Sequence, residues 1–246
     1  MASLPAVAAP PPALDLTASD RLVPLLAVAF VIGLVLLVSR RLPQALITRS
    51  ARILAVSVVA AEFSWWGYNF YIGNWQAQYN LPLHLCEAGA FLLAGALWLR
   101  RRLLVEISYF WGLGGTLPGL FTPVLPVKFP NFEYFQYYVE HGLIVLGSLF
   151  LVVVMGLRPA RGAVGRAAVF TACYAAVVGV IDYFTGGNYL FLRQIPPVGS
   201  IFSYLGPWPW YIGSISVVAV LVFAALYLPF AGARLRPEEV SAAASQ

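Results

Sequence analysis

The sequence predicts an all-α, polytopic membrane protein with seven transmembrane helices, an external N-terminus and a cytoplasmic C-terminus. Three observations carry that expectation. First, 61% of the 246 residues are hydrophobic and 10% are charged, against roughly 45–50% and 25% in a soluble domain. The mean hydropathy of +0.81 points the same way. Second, the apolar residues gather into runs of bilayer length, for which a spanning helix needs about 20 residues. Third, basic residues cluster between alternate runs. Arg40, Arg41, Arg49, Arg52, Arg100, Arg101, Arg102, Arg158, Arg161, Arg166, Arg234 and Arg236 fall on one side of the predicted bundle, and Arg21, Lys128 and Arg193 on the other. Lysine and arginine mark the cytoplasmic loops, which sets the orientation. The net charge of +5 therefore reports topology. It points to membrane lipids as partners and away from nucleic acid.

The predicted spans are 22–39, 53–72, 83–99, 103–121, 134–157, 164–184 and 208–229, within a membrane domain of 21–231. Residues 1–20 are rich in proline and alanine and have no basic segment leading an apolar core, so they read as a flexible external tail and not as a signal peptide. Residues 232–246 read as a flexible cytoplasmic tail. Spans three and four are separated by little more than Arg100, Arg101 and Arg102, which requires a tight turn. Trp65, Trp66, Tyr68, Phe70 and Tyr71 close span two, and Trp208, Trp210 and Tyr211 open span seven. Rings of this kind favour the headgroup region, where one edge is wet. Span four holds Gly112, Gly114, Gly115, Pro118 and Gly119, which weaken a helix or admit a close neighbour.

Against this background the ionisable residues stand out, because a charge at membrane depth costs roughly 2.5–3.5 kcal/mol on insertion scales and marks a functional position. The chain has two histidines and two cysteines, and His84 and Cys86 fall together in the stretch LPLHLCE, beside Glu87. Cys173 lies alone in span six, so the cysteines form no disulfide framework. The predicted topology gathers His84, Cys86 and Glu87 from span three, Glu140 and His141 from span five, Asp182 and Asn188 from span six and its loop, and Glu62 and Asn69 from span two in the outer half of the membrane. Glu62, Trp65, Trp66 and Asn69 follow one helical stripe, as do Tyr134, Tyr137, Tyr138 and His141. If span three is helical from its start, His84 and Glu87 share a face and Cys86 lies about 160° from His84. Each would then need a partner from another helix. Glu106, near the cytoplasmic end of span four, reads as an ion-pair partner for the arginines of 100–102. The loop 185–206, rich in glycine, proline and aromatics, reads as a lid over the outer mouth.

Such a set permits three chemistries. A cysteine activated by an imidazole, itself oriented by a carboxylate, is a nucleophile. His84, Glu87, His141 and Asp182 can instead bind polar groups of a transported or sensed solute. The same four residues are also candidate zinc ligands, although no metal or other cofactor is part of the leading expectation.

The stretches LPLHLCE at Leu81, YFQYYVEHGLIVL from Tyr134, and GGNYLFLRQIPP with GPWPWYI from Gly186 and Gly206 resemble the bacterial YwaF-type integral membrane family. That family is similar to an animal transmembrane family implicated in moving acyl chains between phospholipids with a membrane-embedded cysteine and histidine. The animal pattern has its cysteine directly before a histidine and after a proline. Here Pro82 is followed by Leu83 and His84, and Cys86 comes three residues after Leu83. The resemblance implies a bacterial plasma-membrane location and acyl transfer or hydrolysis on an outer-leaflet lipid. In that reading the reactive residues are His141 (base), His84, Cys86 (nucleophile), Glu87 and Glu140. Asp182, Asn69, Glu62, Trp66, Tyr137 and Asn188 line the substrate position, with Glu140 or Asp182 orienting His141.

Overall fold

The computed structural model describes residues 17–123, 125–195 and 204–232, and among them it is helical with no strand. The predicted tails therefore lie outside the described residues over 1–16 and 233–246, as do 196–203 of the predicted lid. Helix α1 spans Ala18–Ser39 and starts on a capping box, with Thr17 Oγ1 accepting from Asp20 N–H and Asp20 Oδ2 accepting from Thr17 N–H. Such a box satisfies donors that the first helical turn leaves open. Helix α2, Gln44–Tyr71, begins well before the expected boundary, because Pro43 stands at its N-cap and the segment with Arg49 and Arg52 continues the helix. Helix α3 is Leu85–Leu99, and it ends at Arg100, whose φ of 56° is left-handed. That residue turns the chain within two positions into α4, Arg102–Trp111.

Span four is interrupted, as its glycines lead one to expect. After Trp111 a π-helical turn occupies Gly112–Thr116, and the α-helix resumes as α5, Leu117–Phe121. Helices α6 (Phe132–Val153), α7 (Ala163–Thr185) and α8 (Trp210–Ala231) complete the bundle. Among the described residues, four helices are long and apolar enough to cross a membrane: Ser19–Ser39, Phe132–Val153, Ala163–Thr185 and Trp210–Ala231. The remaining rods miss that mark for visible reasons. Helix α2 carries Arg49, Arg52 and Glu62, α3 has 15 residues, and α4–α5 is broken.

Helix α6 is the hub and packs on α1, α2, α3, α4 and α5. In a bilayer the surrounding lipid is as apolar as leucine, so close packing and interhelical hydrogen bonds hold helices together. Small residues make the approach possible here. A Cβ on Gly147 would come within 2.7 Å of Leu93 Cδ2, and one on Gly142 within 3.1 Å of Val28. At the π turn, Gly112 lies directly against the Ser148 side chain, whose hydroxyl donates to Ser108 O at 2.8 Å. Two apolar clusters result, one around Phe110, Trp111 and Phe223 and one around Leu93, Leu97 and Phe150.

The helices alternate, so their ends collect different chemistry. One end holds Arg52 over the Trp98 ring at 5.3 Å, Arg100 Nη2 donating to Thr48 Oγ1 at 2.9 Å, and Arg102 and Arg166 on Glu106. Glu106 thus pairs with an arginine of the expected turn and with one from α7. At the other end Tyr134 Oη donates to Asp20 O at 2.7 Å, and the α2–α3 connection meets the segment after α7.

Candidate functional site

The start of α3 is built by the residues around it. His84 is its N-cap and precedes the helix, so the expectation that His84 and Glu87 share a helical face gives way to a reciprocal cap. Glu87 Oε2 accepts from His84 N–H at 3.1 Å, and the His84 side chain accepts from the backbone of the third helical position. Histidine is an unusual N-cap, yet the physical need is the ordinary one: the first four N–H groups of a helix lack internal partners. Upstream, Tyr174 Oη donates to Leu83 O at 2.9 Å and Leu81 N–H donates to Tyr189 Oη at 2.8 Å. The chain is held before it enters α3.

Tyr189 is central to that hold. It is buried, donates its hydroxyl proton to Ala77 O at 2.9 Å, and packs edge-on against the His84 ring at 5.3 Å. Burial pushes its hydroxyl well above the ordinary phenol range, so it stays a neutral donor. Asp182 Oδ1 accepts from Tyr189 N–H at 3.0 Å, while Oδ2 has no partner. Asn188 Oδ1 accepts from Arg193 N–H and Gln194 N–H, both at 2.9 Å. Gln78 Nε2 donates to Gly186 O at 3.1 Å, and the Tyr211 hydroxyl donates to Phe191 O. The described part of the predicted lid is therefore pinned to the α2–α3 connection, α7 and α8, with Asp182 and Asn188 shaping it.

A second group of side chains lies between α2, α3 and α6. Glu62 is 0% exposed, and no donor reaches either carboxyl oxygen. What faces it is the carboxyl of Glu140 on α6, with Glu87 also within electrostatic range. The Trp66 indole N–H comes near Glu62 without making a hydrogen bond. Glu140 Oε2 accepts from Gln136 Nε2, which also reaches Ala61 O at 3.3 Å, while Glu140 Oε1 is unpartnered. Cys86 is half-buried and packs against the second apolar cluster, and its electrostatic partners are Glu87, Glu140 and Glu62. Tyr137 and Tyr174 lie within electrostatic range of the same thiol. Asn69, further along α2, donates from Nδ2 to Trp65 O at 2.9 Å.

His141 is held differently from expectation. Its ring stacks on Tyr137 with centroids 4.0 Å apart, and Nδ1 lies 3.0 Å from Tyr137 O. A carbonyl only accepts, so Nδ1 carries the proton in this bond, which leaves Nε2 with its lone pair free. Tyr137 Oη in turn donates to Gly119 O at 2.7 Å. Gly119 is needed there, since a Cβ would lie 3.1 Å from Tyr137 Oη and 3.3 Å from His141 Cδ2. A backbone carbonyl therefore orients the imidazole, in the role expected of Glu140 or Asp182.

The structure thus divides the expected site into two groups. Glu62, Trp66, Cys86, Glu87, Glu140 and Tyr137 share one buried region, beside His141, whereas Asp182, Asn188 and the His84 ring belong to the clamp around Tyr189. No three His, Cys, Asp or Glu side chains come together as a metal-holding set among the described residues. His84, Glu87, His141 and Asp182 are therefore not gathered as ligands. Gln136, Tyr174 and Tyr189 take part without having been singled out from the sequence. The spacing of Gln136 and Glu140, four apart on a helix, offered a local sign of that pair; the two tyrosines act across about 90 to 110 residues, and no local pattern reveals them.

Comparison with curated proteins and with solved structures gave no match. The model of the TMEM164 family, a transmembrane protein family, matches residues 16–227 and so takes in every helix but the last turn of α8, and the chain belongs to that family.

Proposed function

We propose that this TMEM164-family protein spans a bacterial plasma membrane seven times, with its N-terminus outside, and that its buried carboxyl–thiol–imidazole region acts on membrane lipids by acyl transfer or hydrolysis. The observation that carries this reading is the convergence of Glu62, Cys86, Glu87 and Glu140 from three helices, with three carboxyl oxygens left without donors and His141 next to Glu140 on α6. Buried polar groups are normally satisfied, and each exception asks for an explanation. A groove of about 570 Å³ supports a lipid as the occupant. It runs between α2 and α3 and is lined by apolar residues including Ala55, Val59 and Phe63 on one side and Ala94, Gly95 and Trp98 on the other. Phe63 packs against Trp66 and Phe91, and Trp66 comes near Glu62, which links one end of the groove to the carboxyls.

In this mechanism an ester carbonyl is attacked by the Cys86 sulfur, forming a thioester as the C–O bond breaks. His141 Nε2 takes the thiol proton and returns it to the departing lipid oxygen. Water or a second lipid hydroxyl then attacks the thioester, and the proton moves by the same nitrogen to the sulfur. The fixed Nδ1–H bond to Tyr137 O sets the ring for both transfers. A lipid-like electrophile should label Cys86 in the purified chain, with labelling lost in Cys86→Ala and slowed in His141→Ala. Full lipid turnover by Cys86→Ala rejects the thiol step.

The facing carboxyls favour a second reading. Glu62, Glu87 and Glu140 have no cation among their described partners, so they suit a proton or the cationic group of a small solute. A transporter or ligand-binding protein of that kind keeps solute uptake in liposomes when Cys86 is removed and loses it in Glu62→Gln.

A further inference from the structure

At the arginine-rich end, away from the region just described, a cavity of about 290 Å³ is lined by Arg101, Arg102, Leu103 and Arg166. Two of its guanidiniums are fixed in place. Arg102 Nε donates to Glu106 Oε1 at 3.1 Å, Arg166 Nε to Glu106 Oε2 at 2.8 Å, and Arg166 Nη2 to Glu106 Oε1 at 2.7 Å. Both also donate to Arg161 O, at 3.2 and 3.1 Å. Glu106 is 0% exposed and sits beneath them, while the arginines are 42% and 37% exposed. One carboxylate therefore orders two guanidiniums without cancelling the third charge, that of Arg101, which is exposed and has no carboxylate partner among the described residues. The cavity also abuts the first turn of α4, whose N-cap, Arg101, supplies no side-chain acceptor. Its first N–H groups and the positive end of the helix dipole add to the same sign.

We infer that this cavity binds a phosphate group, supplied by an anionic phospholipid headgroup of the adjoining leaflet or by a soluble phosphate. Guanidinium presents paired donors in a planar fork that matches phosphate oxygens. Basic pockets between membrane helices hold anionic headgroups for that reason. Glu106 positions the donors and itself stays out of reach of the anion. This inference rests on insertion in a membrane as proposed above, and it does not rest on acyl chemistry at the opposite end. Loss of turnover in Cys86→Ala therefore leaves it intact.

The test is thermal-shift titration of the purified full chain with inorganic phosphate, with dioctanoyl phosphatidylglycerol, and with dioctanoylglycerol as the uncharged lipid. Saturable stabilisation by phosphate, by phosphatidylglycerol or by both supports the site. Competition between the two shows one shared site, and stabilisation by only one identifies the source. Arg101→Glu should weaken binding about tenfold or more, since each basic residue near an anionic surface contributes about 1 kcal/mol and reversal counts twice. Arg101→Lys should retain most of it. Arg41→Glu, an exposed charge change at the same end, should leave it unchanged. Equal binding by Arg101→Glu and the parent chain, an equal loss in Arg41→Glu, or an equal shift with dioctanoylglycerol overturns the proposal.

Discussion

Glu62 and Glu106 are both completely buried glutamates in one helical bundle, and their surroundings are opposite. Glu106 accepts from Arg102, from the Nε and Nη2 of Arg166 and from Ala160 N–H at 3.2 Å. Its charge is answered on each oxygen. Glu62 meets another carboxyl and receives no donor. Burying an ion costs several kcal/mol unless its partners are well placed. A fully paired glutamate is therefore accounted for by the fold, whereas one facing a like group is accounted for only by something the fold serves. The two ends of the bundle divide along this line, one tying helices together and the other leaving acceptors open.

Four substitutions test that division, in descending size. Glu106→Ala should destabilise most, by about 3 kcal/mol. That is the low end of the range for breaking a buried pair, because the two arginines it abandons are partly wet. Thermal unfolding of the detergent-solubilised chain measures it, and a loss below about 1 kcal/mol would erase the contrast. Next, Gln136→Leu removes the described donor to Glu140 and leaves that carboxyl wholly unpaired, for about 2 kcal/mol. Tyr189→Phe comes third: it deletes a hydroxyl bonded to Ala77 O and Leu81 N–H, for about 1 kcal/mol. Protease sensitivity before α3 should rise with it, and an unchanged digestion pattern counts against the clamp. The smallest effect belongs to Glu62→Gln, where the new amide can donate to Glu140. Its stability should be unchanged or raised by up to about 1 kcal/mol, while lipid turnover or solute binding falls. If Glu62→Gln destabilises the chain as Glu106→Ala does, the two glutamates are alike and the contrast fails.

Much of this was legible in the residues. Helix positions follow from apolar runs, and the glycines between Gly112 and Gly119 foretold a weak point that the structure realises as a π turn. The pairing of Glu106 with the 100–102 turn was readable from their closeness in the chain. Its bonds to Arg166, 60 residues away, were not, because helix packing alone brings α4 and α7 together. The start of α3 misled for a local reason. Periodicity places His84 on a face with Glu87, whereas a proline two residues before His84 and the tie of Leu81 to Tyr189 hold the chain extended there, so His84 caps the helix. Of the tyrosines on the His141 stripe, Tyr137 stacks on the ring, but the group that orients the imidazole is a backbone carbonyl, which no residue identity announces.

The sequence by itself determined that this is a helical membrane protein with ionisable residues at helical depth, because lipid demands long apolar runs with internally bonded backbone. Only the tertiary structure decided which of those residues meet. Partnership between buried polar groups depends on helix rotation and separation of a few ångströms, set by small residues such as Gly112, Gly119 and Gly147 at the crossings. That is why Glu106 found two arginines and Glu62 found a carboxyl.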